Sequence, residues 1–166
     1  MLIPAIMMKM IQQSQGNRED INHFIKVYAY AKTIGQQENL APMQQEILEI
    51  AAIIHDIACP LCRQKYGNAN GKLQEKESPA LVNDFLSSFK LPEGYAERIA
   101  FLVSHHHTIE LIDGKDYQIL IEADYLVNAD ENDYSKENIQ TMMDKVFKTE
   151  AGTALLQSIF QLASSR

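Results

Sequence analysis

Over residues 50–57 the chain is apolar on every face of a helix except at His55 and Asp56. A helix that is apolar all round must be surrounded by other elements, so this segment predicts the centre of a bundle. Burying an imidazole and a carboxylate there costs roughly several kcal/mol unless they are paired, hydrogen-bonded or bound to a metal. Adjacent helix residues point about 100° apart, so both side chains cannot escape to one solvent face. A metal ion beside the helix end would satisfy both at once.

The rest of the sequence supplies helices to surround that segment. Residues 1–15 read as a short apolar helix stopped by Gly16. Asn17 or Asp20 can cap a second helix, on which His23, Val27, Tyr30 and Ile34 form an inward stripe. Gly35 is expected to end or loosen it. Pro42 suits the first turn of the central helix, which should bury Met43, Ile47, Leu48, Ile50, Ala51 and Ile54. Pro60 limits its continuation. Residues 63–76 turn polar, with Gly67 and Gly71, and read as the longest loop, a rim or lid over a site. Ser78-Pro79 reads as an N-cap followed by a first-turn proline, opening a helix with Leu81, Val82, Phe85 and Leu86.

After the 91–94 turn, Tyr95, Ile99, Leu102 and His106 share a stripe, with Ala100, Val103 and His107 beside it. A helix over about 116–128 aligns Tyr117, Leu120, Ile121, Asp124 and Val127. Ser135 caps the next, and Leu155, Leu156, Ile159 and Phe160 mark the last. There is no period-2 strand, repeat or linker. The expectation is an all-α single domain over 1–166, a bundle of about seven to eight helices. Its core covers about 20–130, and C-terminal helices over 135–163 pack on it.

With a length of 166 residues, 46% hydrophobic and 22% charged, the chain can build such a core. Its net charge of -7 argues against long nucleic acid as a partner but leaves room for a small phosphorylated ligand beside a metal. No apolar run reaches the roughly 18 residues of a membrane span. Pro4 interrupts the apolar start and no small-residue cleavage site follows, so no signal peptide is expected and the cytoplasm is the default compartment. Cys59 and Cys62 follow a helix rather than a strand and lack a second pair of soft ligands. They read as small buried thiols, not as a redox dithiol or zinc knuckle.

Four helices thus carry metal-capable residues on inward stripes: His23, then His55 with Asp56, then His106 with His107, then Asp124. Each alone has an ordinary structural explanation. Together they would be several unrelated buried polar groups, which native cores avoid. A shared metal accounts for all of them, and helical bundles build such sites from facing helices.

The order His23, His55-Asp56, Asp124 resembles the H…HD…D signature of the HD-domain metal-dependent phosphohydrolase superfamily. Local matches are His23-Phe24-Ile25-Lys26-Val27, Ala51-Ala52-Ile53-Ile54-His55-Asp56-Ile57-Ala58 and Glu122-Ala123-Asp124. The resemblance implies an orthogonal helical bundle and hydrolysis of phosphomonoesters or phosphodiesters, mostly of nucleotides. It also implies a first metal held by His23, His55, Asp56 and Asp124. His106-His107-Thr108 is similar to the later element of two-metal members. The intermediate histidine of those members is absent here, and Glu77 lies near its place. One ion and two ions both stay open.

The expected chemistry is attack of metal-activated water on a phosphoester, with His55 and Asp56 at its centre. Asp56 would bridge two ions if both bind, while His106, His107 and Glu77 hold the second ion or His106 and His107 contact the phosphate. Arg63 and Lys65 are candidate phosphate contacts. Mixed imidazole and carboxylate ligands suit Mn, Fe, Ni, Co or Zn, and the sequence does not select among these and Mg. The rival readings are a catalytically silent metal- or nucleotide-binding sensor and a plain helical interaction module.

Overall fold

A computed structural model describes residues 1–162, so the end of the 135–163 segment lies outside the described residues. Nine α-helices and one 3-10 turn make up the secondary structure of the described residues, and no strand occurs among them. The order is α1 (Leu2–Gln13), α2 (Arg18–Gln37), α3 (Pro42–Ile54), α4 (Cys59–Tyr66) and α5 (Gly71–Leu86). Then follow α6 (Tyr95–His105), the 3-10 turn Ile109–Leu111, α7 (Lys115–Glu131), α8 (Lys136–Lys145) and α9 (Glu150–Phe160).

The two most buried helices, α3 and α7, pack against each other. In α3 every residue from Ile47 to Ile54 is buried. In α7 everything from Asp116 to Val127 is buried, including Asp116, Gln118, Glu122 and Asp124. Helix α3 packs on α1, α2, α6 and α7, while α2 lies along α7 and α5 along α6. The C-terminal α9 packs against α7, α2 and α8. The C-terminal ends of α3 and α6 therefore meet the second turn of α2 and the middle of α7, and the inward histidines lie at that junction. No described helix is long and apolar enough to cross a membrane.

Several helix starts follow the sequence signals. The Asn17 side chain accepts the amide of Asp20, Ser135 accepts that of Asn138, and Pro42 sits in the first turn of α3. Other expectations need correction. Pro60 does not merely halt a helix; it opens α4, which carries Arg63 and Lys65. The loop expected over 63–76 shrinks to the few residues between α4 and α5. Asn70 caps α5 by accepting the Leu73 amide at 3.1 Å, and Ser78-Pro79 lies inside that helix. The polar run Lys72, Gln74, Glu75, Lys76 and Glu77 consists of good helix formers, so polarity there marks a partly solvated helix rather than a loop. Pro79 forfeits one bond to the Glu75 carbonyl on an exposed face, which the helix tolerates. Gly35 continues α2 instead of ending it. Met43 lies on the solvent side of α3, 56% exposed, because only the later turns of that helix are surrounded.

Candidate metal centre

His55 and His106 reach the cluster through the same local device. Each caps a helix C-terminus, α3 and α6 respectively, where the last carbonyls have no intrahelical partner. The His55 Nδ1–H donates to the Ala52 carbonyl at 2.8 Å, and the His106 Nδ1–H donates to the Val103 carbonyl at 2.7 Å. His23 comes from the second turn of α2 and donates its Nδ1–H to Glu131 Oε2 at 2.7 Å. Carbonyls and carboxylates only accept, so all three tautomers are fixed with the proton on Nδ1. The three Nε2 lone pairs are left facing one another and two carboxylates.

The separations are short and uniform. His23 Nε2 lies 3.2 Å from His55 Nε2 and 3.2 Å from Asp124 Oδ1. Asp56 Oδ2 lies 3.4 Å from both of those imidazoles, and His55 Nε2 lies 3.4 Å from Asp124 Oδ1. Asp56 turns its other oxygen, Oδ1, toward His106 Nε2 at 3.5 Å. Among the described residues His106 Nε2 is a buried nitrogen with no hydrogen-bond partner.

Two imidazole lone pairs at contact distance repel unless a proton or a cation lies between them. Ligands about 2.1 Å from one ion stand roughly 3.0–3.5 Å from each other, the spacing found here. The residues therefore fit a divalent metal, with His23, His55 and Asp124 as one donor group and Asp56 Oδ2 against both of its imidazoles. Ligand atoms of His55, Asp56 and His106, and of His106, His107 and Asp124, form two further groups within 4.8 Å.

The electrostatics agree with a site built for positive charge. Burial opposes ionisation of Asp56, but the adjoining His55 and His106 rings outweigh it and hold its carboxyl well below the usual range. Burial likewise works against the Asp124 carboxylate, and hydrogen bonds from His23 and His55 hold it low. The same carboxylates keep His23 and His55 above the ordinary imidazole value despite burial. His107 differs. It keeps an exposed edge, yet the protein packed around its ring and the neighbouring His106 lower it to about 4.

The other sequence candidates lie elsewhere. Glu77 does not join the cluster; it accepts from Lys65 Nζ at 2.8 Å and from the Tyr66 hydroxyl at 2.5 Å. Arg63 is ion-paired to Asp20 of α2, so both loop cations expected at a phosphate are engaged by carboxylates. Glu75, two residues earlier and so on another face of α5, accepts the Thr108 hydroxyl. With Asn70, Gly71, Lys72, His107 and Thr108 it lines an open pocket of ≈ 560 Å³ at the His107 edge of the cluster. Gly71 is needed there, because a Cβ would stand 2.9 Å from His107 Cβ.

His105 stays outside, donating Nδ1–H to the Phe101 carbonyl at 2.8 Å. The buried Tyr117 hydroxyl donates to the carbonyls of His105 and Thr108, pinning the His105–Thr108 turn. Cys59 and Cys62 are free and buried, and burial with the Asp56 charge pushes the Cys59 thiol far up. Sequence reasoning missed Glu131, Glu75 and Lys72. Glu131 was findable, since it follows Asp124 by seven residues and shares its helix face. The other two lay inside the segment misread as loop.

An all-α bundle whose helix ends and centres deliver three imidazoles and two carboxylates to one buried point has the architecture of a metal centre. A family model of the HD domain matches residues 20–140, more than half of the chain, and the chain belongs to that family, whose members are generally metal-dependent phosphohydrolases. No curated protein and no solved structure shows significant similarity to it.

Proposed function

We propose that the protein is a metal-dependent phosphohydrolase acting on a small phosphomonoester or phosphodiester, such as a nucleotide or a related phosphorylated metabolite. The observation that carries this reading is the buried, unpartnered His106 Nε2 facing the second oxygen of Asp56. Asp56 thereby addresses two groups of donors, the arrangement a bridging carboxylate needs. A bound divalent ion supplies Lewis acidity and lowers the pKa of a water. His23, His55, Asp56 and Asp124 would hold the first ion. His106 and His107 would hold a second or contact the phosphate directly.

The chain's own groups supply the rest. The open pocket bordered by His107 would seat a phosphoester at that edge of the cluster. Lys72 and Asn70 on its wall offer cationic and amide donors for the phosphate, a role that Arg63 and Lys65 are less free to take. The net charge of -7 disfavours a long nucleic acid as substrate.

The test is a phosphoester panel with the protein reconstituted in Mn or Co, beside His55→Ala and Asp56→Ala variants. Turnover of one substrate class by wild type, lost in both variants, supports the reading. Tight ligand binding without product supports the sensor alternative. Failure of the wild type to retain any divalent ion contradicts both.

A further inference from the structure

The three converging imidazoles are not oriented alike. His55 and His106 give their Nδ1–H to neutral backbone carbonyls of their own helix ends, at Ala52 and Val103. Those acceptors are part of the fold, and no side-chain change removes them. His23 lies inside α2, past its first turn, where the local carbonyls are taken by intrahelical bonds, so its Nδ1–H must look elsewhere. It finds Glu131 Oε2 at 2.7 Å, across from α2 on the last turn of α7. The second oxygen of Glu131 accepts from Lys26 Nζ at 3.1 Å, and Lys26 also stands 3.9 Å from Asp130. Lys26 follows His23 by three residues on the same face of α2.

We propose that Glu131 is a positioning residue of the metal centre, tuned by Lys26. An imidazole that hydrogen-bonds a carboxylate through one nitrogen becomes a stronger donor through the other, and its ring orientation is fixed. An anionic acceptor does this more strongly than the carbonyls behind His55 and His106. His23 is therefore the strongest imidazole donor of the set, and Lys26 offsets part of the carboxylate charge. Helix α7 supplies both a ligand, Asp124, and the group that orients a ligand on α2. With its side chain 29% exposed beside an open pocket bordered by Glu19, Asn22 and Asn132, Glu131 is also the orienting group most open to solvent. The inference rests on the metal-centre reading above.

Metal affinity decides it, read by competition with a chelator and by the visible spectrum of the Co-loaded protein, with unfolding of the metal-free variants as a control. Glu131→Ala is expected to weaken Co or Mn binding by about 10–100-fold and to shift the Co bands. Glu131→Gln keeps an acceptor oxygen without the charge, so it should fall between Ala and wild type. Lys26→Met should tighten binding. A tether between α2 and α7 alone would change unfolding and leave the affinity of the folded protein alone. Binding by Glu131→Ala within about twofold of wild type, far inside the range for outer-shell partners, overturns the proposal. So does a Gln variant no better than Ala. If Glu131→Ala does not fold, the Gln variant decides by the same affinity and spectral criteria. Wild type that binds no metal overturns the metal-centre reading itself, and this proposal with it.

Discussion

Helix α7 buries two carboxylates two residues apart, and they are satisfied in opposite ways. Glu122 is completely buried. Its Oε1 accepts from Gln118 Nε2 at 2.7 Å, the Lys148 amide at 2.7 Å and the Thr149 amide at 3.1 Å, while Oε2 accepts the Thr149 hydroxyl. Every donor is neutral and fixed, and two are backbone amides at the positive end of α9. Asp124, about 200° around the helix, receives Asn128 Nδ2 at 2.8 Å and otherwise meets the Nε2 atoms of His23 and His55. In the neutral tautomers that the Nδ1 contacts impose, those nitrogens present lone pairs, and they donate to Asp124 only when a second proton charges the ring. One carboxylate is closed by permanent dipoles and anchors the C-terminal helices. The other is left open, in a group of side chains that could hold a cation. Burial of a carboxylate is thus no mark of function; what distinguishes the two is whether the fold itself completes the hydrogen bonding.

Exchanging the fates of the two positions is the strongest way to break this contrast. Asp124→Ala is expected to lower metal-dependent activity by more than about 100-fold, since even outer-shell changes cost 10–100-fold. The variant should stay folded, with its loss read as reduced metal stoichiometry. Glu122→Ala should do the reverse. It strands the Lys148 and Thr149 amides and Gln118, costing about 3 kcal/mol in a urea unfolding curve, while the folded fraction binds metal normally.

Gly152→Ala attacks the same anchor from the other side, because its Cβ would strike the Glu122 carboxylate and approach Thr149 Oγ1 at 2.6 Å. Overpacking of this kind costs about 1–3 kcal/mol and should likewise spare the metal site.

The smallest effect is a pH dependence confined to the open side. Asp56 and Asp124 titrate low when folded, so their contribution is full above about pH 4 and lost as pH falls through their folded values. His23 and His55 titrate high, so theirs is present below about pH 6.5 and lost as pH rises through their folded values. A metal ion takes the place of those imidazole protons. The rise in Tm on adding Mn should therefore be larger at about pH 8 than at about pH 6, and the Asp124→Ala variant should lose that difference.

Much of this arrangement was legible in the sequence because burial leaves a periodic trace. The all-round apolar run in α3, the caps at Asn17 and Ser135, and the stripes carrying His23, His106 and Asp124 all follow from helical spacing. The segment between Arg63 and Ser78 did not read correctly, because a partly solvated helix of Lys, Gln and Glu looks like a loop by polarity, and Pro79 imitates a helix start. That error placed attention on Glu77 and hid Glu75 and Lys72. The helix face shared with Asp124 points to Glu131 as a position, but its role and that of Glu122 depend on partners 108 and 27 residues away, His23 and Thr149, which no local pattern encodes.

If the junction of α2, α3, α6 and α7 is a metal centre, it holds a divalent ion in the crystal as well as in solution. Crystals grown with Mn and measured at its absorption edge test it directly. An anomalous peak is expected between Nε2 of His23 and His55 and the carboxylates of Asp56 and Asp124, with any second peak on the His106 side of Asp56. An occupied crystal with its Mn elsewhere, or hydrogen-bonded imidazoles and water in place of the ion, would contradict it.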